Sequence, residues 1–244
     1  MNAIVLAGEK RSESGKSLEN KALLKIKDKY MVDYVIDAVN NVKSIDKIAV
    51  VGLKEELSKA IGHKVDYVIE GTDSIVENII KALECFPGEK EMLVLTCDIP
   101  MITVEALEHF ILEAKESKAD LCYSIIDKRV NDEKYPEVKR TYAKLWNGQF
   151  TGGNVFYFNP CIKDKIKDFA EEMLEYRKNP AKMAGLLGFG FIIRLILGIL
   201  TINAVKKKLR KLLGINAAAV ISPYPEIGND VDKISDIQFV EKYL

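Results

Sequence analysis

The chain has 244 residues, 48% hydrophobic and 30% charged, with 36 Lys or Arg against 36 Asp or Glu. That balance excludes a disordered chain, a collagen-like chain and a disulfide-stapled miniprotein. A net charge of zero argues against a dedicated nucleic-acid binder, which is basic overall. The neutrality is uneven: residues 176–225 hold nine Lys or Arg and no acid, so the remainder carries an excess of nine acids.

Taken in chain order, Ala3–Ala7 reads as a short buried strand broken by Gly8, followed by a polar loop from Glu9 to Asn20. Met31–Val42 repeats apolar residues at helical spacing, Lys47–Val51 is a second strand and Lys54–Ile61 a short helix. Val65–Ile69 is a third strand. It leads through Gly71 to a helix over Ile75–Leu83, which Thr72, Asp73 or Ser74 could cap. Met92–Thr96 is a strongly apolar strand ended by Cys97–Asp98–Ile99–Pro100, and Thr103 caps a helix running to Ser117. Asp120–Ile125 is another strand, and Val130–Lys144 reads as polar and extended. Gln149–Phe158 reads as a Gly152–Gly153 turn before an aromatic strand. A charged helix over 161–178, a very apolar stretch over 181–203, a basic helix over 204–213, a late strand Ala217–Ser222 and a short terminal helix complete the pattern.

Strand–helix alternation at this spacing predicts βαβ units and an α/β fold. The expected sheet is Rossmann-like and mostly parallel, with helices on both faces. The chain is expected to form one domain over 1–244, with a helical insertion over 161–215. Ligands of open parallel sheets sit at the carboxyl ends of strands, where Gly8, Gly71 and Asp98 all fall.

Four scattered cysteines form no metal or redox motif, and His63 and His109 read as plain surface residues. The first six residues lack a basic region, and their apolar run is too short for a signal peptide; a cytoplasmic location is expected. Asp98 is the foremost chemical candidate, because a carboxylate ending a buried strand is costly unless paired and a divalent cation would offset that cost. A loop or capping carboxylate is the plainer alternative. Asp230 and Asp232 are further carboxylates; on an extended segment they would face opposite ways, so that one of them meets a metal. Lys21, with Lys10, Arg11 and Lys16 of the polar loop, could contact phosphates, although the loop carries neither a Walker A nor a G-x-G-x-x-G pattern.

In order, Val5–Leu6–Ala7–Gly8, Lys21–Ala22–Leu23–Leu24 with Lys27 and Tyr30–Val35 behind it, Thr96–Pro100, Gly152–Gly153–Asn154 and Asp230–Ile237 resemble the motifs of the nucleotidyltransferases, the MobA-like NTP transferases among them. The resemblance implies the nucleotide-diphospho-sugar transferase type of fold and a Mg²⁺-dependent reaction. In that reaction a phosphate oxygen of a phosphorylated acceptor attacks the α-phosphate of an NTP and pyrophosphate leaves. It places Leu6, Ala7 and Gly8 at the nucleotide, Lys21 at its phosphates, Gly71 and Ser74 in the base-recognition loop, and Gly152, Gly153 and Asn154 on the acceptor side. Asp98 with Asp230 or Asp232 would hold the metal. Two departures stand out: Glu9 replaces the usual second glycine, and the usual Arg-Met-Gly is missing. They leave Arg11 or Lys10 for the phosphate role, with Arg11 assigned as catalytic, or else a weakened activity. A nucleotide-binding regulatory protein without turnover and a related-fold glycosyltransferase are the rival readings.

Residues 183–203 are long and apolar enough to raise the question of a membrane span, but Arg194 interrupts them, and a span would separate Asp98 from Asp230. Two buried helices are expected there, the alternative being peripheral contact of 183–211 with anionic lipid.

Overall fold

The computed structural model describes residues 1–8, 21–176 and 179–244. Its strands are β1 (Asn2–Ala7), β2 (Lys25–Ile26), β3 (Lys29–Tyr30), β4 (Ile48–Gly52), β5 (Tyr67–Glu70), β6 (Met92–Thr96), β7 (Leu121–Asp127), β8 (Ala143–Leu145), β9 (Gly148–Phe158) and β10 (Ala217–Ser222). Its α-helices are α1 (Met31–Asn40), α2 (Lys54–Ile61), α3 (Ile75–Leu83), α4 (Val104–Ser117), α5 (Lys128–Lys134), α6 (Lys163–Tyr176), α7 (Pro180–Leu187), α8 (Phe189–Ile196), α9 (Ile202–Leu213) and α10 (Ile234–Glu241).

Eight strands form one sheet in the order β10-β7-β9-β6-β1-β4-β5, with β8 paired to β9. The sheet is mostly parallel; β9 runs antiparallel to both β6 and β7. The strand period of two sorts β1 onto two cores. Ala3, Val5 and Ala7 pack with α1, α2 and α4, whereas Ile4 packs with α3 on the other face. Met92–Leu95 of β6 are buried on both sides, which explains their unbroken apolar run. A central strand held by β1 and β9 therefore delivers Asp98 to the carboxyl edge.

Helix signals read from the sequence match the structure closely in the first half. Ser74 caps α3 by accepting the Glu77 N–H, and Thr103 caps α4 by accepting that of Ala106. Four expectations differ. Residues 130–144 are not simply extended, because Asp127 accepts the Arg129 N–H and starts α5. Gly152–Gly153 is not a turn but the middle of the eleven-residue β9. His109 is partly buried, its ring edge-on to Tyr224 at 5.5 Å. The apolar stretch forms α7 and α8, separated at Gly188 (φ +94°), and α8 is not buried. No helix of the described residues is long and apolar enough to cross a membrane.

Candidate active site

The site forms where β1, β5 and β6 end. Gly52 closes β4 against β1 with no room for a side chain: a Cβ there would lie 2.5 Å from the Ala7 carbonyl oxygen. Gly71 in turn donates its N–H to the Gly52 carbonyl at 2.8 Å. Small residues thus let three strand ends converge.

The loop after Gly71 is tied down by Asn78, a buried residue of α3 that periodicity alone would class as a helix face. Its Oδ1 accepts from the Thr72 N–H at 2.6 Å and the Thr72 hydroxyl at 3.1 Å, while its Nδ2 donates to the Thr72 carbonyl at 3.0 Å. Asn78 also borders Gly8, so the loops after β1 and β5 meet across one side chain. The end of β1 with Gly8 and the Gly71–Ser74 loop therefore meet at Asn78, and the Ser74 hydroxyl already serves as the α3 cap.

Beside this region three carboxylates gather. One carboxylate oxygen from each of Asp98, Asp230 and Asp232 lies within 4.8 Å of the others. This corrects the expectation that Asp230 and Asp232 diverge. Residues 229–233 are not a strand: the Val231 N–H donates to the Asp98 carbonyl at 2.8 Å, and Asp236 accepts the N–H groups of Asp232 and Lys233. The chain curls there, and both carboxylates reach Asp98.

Three like charges so close demand cations. Lys21 Nζ lies 2.9 Å from Asp98 Oδ2 and 3.3 Å from Asp232 Oδ1, and Arg140 forms an ion pair with Asp230. The Thr96 hydroxyl fixes the other oxygen of Asp98 at 2.5 Å. Burial opposes a charge on Asp230, but Arg140 outweighs it and holds that carboxyl below the ordinary value. Asp232 moves the other way: burial and the charge of Asp230 push its carboxyl up, and Lys21 offsets this only in part. Burial opposes the charge of Lys21, yet Asp98 and Asp232 together raise its pKa. Three hard oxygen donors of this kind suit Mg²⁺.

Gly152 and Gly153 face opposite sides of β9. A Cβ on Gly152 would fall 2.0 Å from the Tyr123 hydroxyl, and one on Gly153 would fall 2.2 Å from Ser124 Oγ. Tyr123 stacks on Phe156 at 4.6 Å. Burial raises the Tyr123 pKa, and its ring feels the charges of both Arg140 and Asp230. The Gly152 side of β9 therefore looks toward the acidic cluster. Asn154 lies two residues along the same face, its Nδ2 buried without a hydrogen-bond partner among the described residues. Gly153 faces away, toward Ser124 and Ile227.

Arg140 and Asn78 are the site residues that sequence reasoning missed. Arg11, assigned a catalytic role, lies outside the described residues, as do Glu9, Lys10 and Lys16.

An α/β sheet of this order, with helices on both faces, is the nucleotide-diphospho-sugar transferase type of fold. The MobA-like NTP transferase domain family matches residues 3–179. A hypothetical transferase from Thermus thermophilus is 34% identical, with a TM-score of 0.84 over 97% of this chain and 98% of that one. CMP:2-keto-3-deoxy-manno-octonic acid synthetase complexed with CTP is 14% identical, with a TM-score of 0.63 over 99% and 98% of the two chains. The 4-diphosphocytidyl-2C-methyl-D-erythritol synthase of Anaerococcus prevotii is 15% identical, with a TM-score of 0.59 over 99% and 94%. At these identities the two synthases show likeness of fold. The bifunctional protein GlmU of Thermoanaerobacter pseudethanolicus is 35% identical over 101 residues, which cover 39% of this chain and 21% of GlmU. The chain thus spans about a fifth of that curated relative's length. The chain belongs to the MobA-like NTP transferase domain family, and so to the nucleotidyltransferases.

Proposed function

We propose that the protein transfers an NMP group from an NTP to a phosphorylated small-molecule acceptor, releasing pyrophosphate, with Mg²⁺ at Asp98, Asp230 and Asp232. The convergence of those three carboxylates beside Lys21, at the edge where the β1 and β5 loops meet, carries this reading. Bound there, Mg²⁺ would neutralise charge on the nucleotide phosphates and leave the α-phosphorus open to attack.

The chain's own residues supply positioning, which dominates phosphoryl-group chemistry. The backbone at the end of β1, at Leu6, Ala7 and the following Gly8, faces the nucleotide, and the Gly71–Ser74 loop braced by Asn78 faces its base. Lys21 exchanges its carboxylate partners for phosphate oxygens when the nucleotide arrives. Gly152 keeps β9 bare beside Tyr123, and Asn154 Nδ2 offers an unused donor to the acceptor. An acceptor phosphate oxygen attacks the α-phosphorus, the bond to the β-phosphate oxygen breaks, and its electrons leave with pyrophosphate. The phosphate nucleophile is already ionised at neutral pH, so no general base is required of the protein.

Pyrophosphate release from each NTP across a panel of phosphorylated acceptors, with and without Mg²⁺, tests the reading. Asp98→Asn should lose roughly a hundredfold or more of the turnover. Equal release by both proteins would refute the role of Asp98. NTP binding without metal-dependent release would favour a regulatory nucleotide-binding protein.

A further inference from the structure

The face built from α8, the turn after it and the β8–β9 tip presents apolar side chains to solvent. Phe189 and Ile196 are 74% and 75% exposed, and Ile193 lies between them at the i+4 position of the same helix face. Leu197 and Ile199 continue the patch. Trp146 adjoins it: its backbone N–H donates to the Leu200 carbonyl at 2.9 Å, and the residue is 72% exposed. Large apolar side chains massed in this way mark a docking surface.

Charge indicates the occupant. Lys208 Nζ of α9 lies against Gly188, immediately before Phe189, so a cation of α9 reaches the start of the apolar face. Lys207, Arg210 and Lys211 point outward from α9, and Arg194 is exposed on α8. Among the described residues, none of these cations forms an ion pair with a carboxylate. The sequence places no acid between Glu175 and Glu226. A second copy docking through this face would bring cation against cation. An anionic lipid surface satisfies both halves, taking the apolar side chains and the Trp ring at its interface and the ammonium groups at its headgroups.

We propose that the protein seats on anionic membranes through Phe189, Ile193, Ile196, Leu197 and Trp146, held by the cations of α9. Trp146 and Arg140, which pairs with Asp230, are six residues apart, so at most about 20 Å of extended chain separates the lipid contact from the site.

Trp146 is the only tryptophan of the chain, so its emission reports the contact directly. The full-length protein should co-sediment with vesicles containing phosphatidylglycerol, with a blue shift of Trp146, and should not do so with phosphatidylcholine alone. High salt, or the triple change Lys207→Glu, Arg210→Glu and Lys211→Glu, should weaken partition by roughly tenfold or more. Phe189→Ser with Ile196→Ser, both at exposed positions, should abolish the blue shift. Absence of binding to the anionic vesicles, equal binding to both vesicle types, or unchanged binding of the Phe189→Ser/Ile196→Ser variant would overturn the proposal. A concentration-dependent dimer dissolved by that same variant would assign the face to self-association instead.

Discussion

Alanine at each of the two adjacent glycines of β9 should fail in a different way. A Cβ on residue 153 would sit 2.2 Å from Ser124 Oγ and 3.0 Å from Ser124 Cβ, with the Ile227 carbonyl 3.2 Å away. Ser124 is fully buried and binds both polar groups of Val155, donating to its carbonyl at 2.8 Å and accepting its N–H at 3.3 Å. Overpacking costs about 1–3 kcal/mol, and a disrupted buried hydrogen bond about as much again. Gly153→Ala should therefore lose about 3 kcal/mol, lowering Tm by about 6–12 °C for a chain of this size. Ser124→Gly removes the clashing atoms, so in that background the same change should cost less than about 1 kcal/mol. Gly152→Ala meets instead the far end of Tyr123, whose ring packs on Phe156 beside Arg140 and Asp230. It should cost less stability, but kcat/KM should drop roughly tenfold through the displaced ring. Urea unfolding of wild type and the four variants, with acceptor titrations of the Gly152 variant, measures both effects. A Gly153→Ala variant within about 0.5 kcal/mol of wild type, or one not rescued by Ser124→Gly, would refute the steric account.

Asp232→Asn should leave the metal-free protein as stable or slightly more so, because its charged form is disfavoured there, while Mg²⁺ no longer raises Tm; a normal Mg²⁺ response would count against its place in the metal set. The Asp230 pKa is lowered by folding, so its contribution is fully present above the unfolded value of 3.8 and is lost as pH falls through the folded value. Arg140→Gln should therefore cost about 2 kcal/mol near neutral pH in chelator, with the gap to wild type closing below about pH 4. A gap independent of pH in urea titrations would argue against the pair. Asn78→Ala should raise KM for the nucleotide about fivefold or more and lower Tm, since three hydrogen bonds to Thr72 disappear. A lower Tm with unchanged KM would leave Asn78 a purely structural brace.

The sequence alone determined the parts of this protein that depend on short-range patterning. Met92–Thr96 is recognisable as a buried strand because both its faces must be apolar, and Ile75–Leu83 as a helix because its apolar spacing follows the cap-forming run Thr72–Asp73–Ser74, of which the structure uses Ser74. A carboxylate at the end of such a strand stands out without reference to any partner. Other features needed contacts between distant segments. The turn suggested by Gly152–Gly153 is a strand because the Tyr123 and Ser124 side chains of β7 fill the space that side chains on β9 would need, and no local pattern reports a neighbour about 30 residues away. Asp230 and Asp232 converge because Val231 bonds to the Asp98 backbone and Asp236 gathers the loop, which overrides the alternation of an extended chain. Arg140 sits in an unremarkable polar stretch and becomes a site residue only when folding sets it against Asp230. The exposure of α8 was likewise decided by the fold: apolar periodicity specifies a helix face, and only the packing of α8 against α7 and β8 determines that the face is left to solvent.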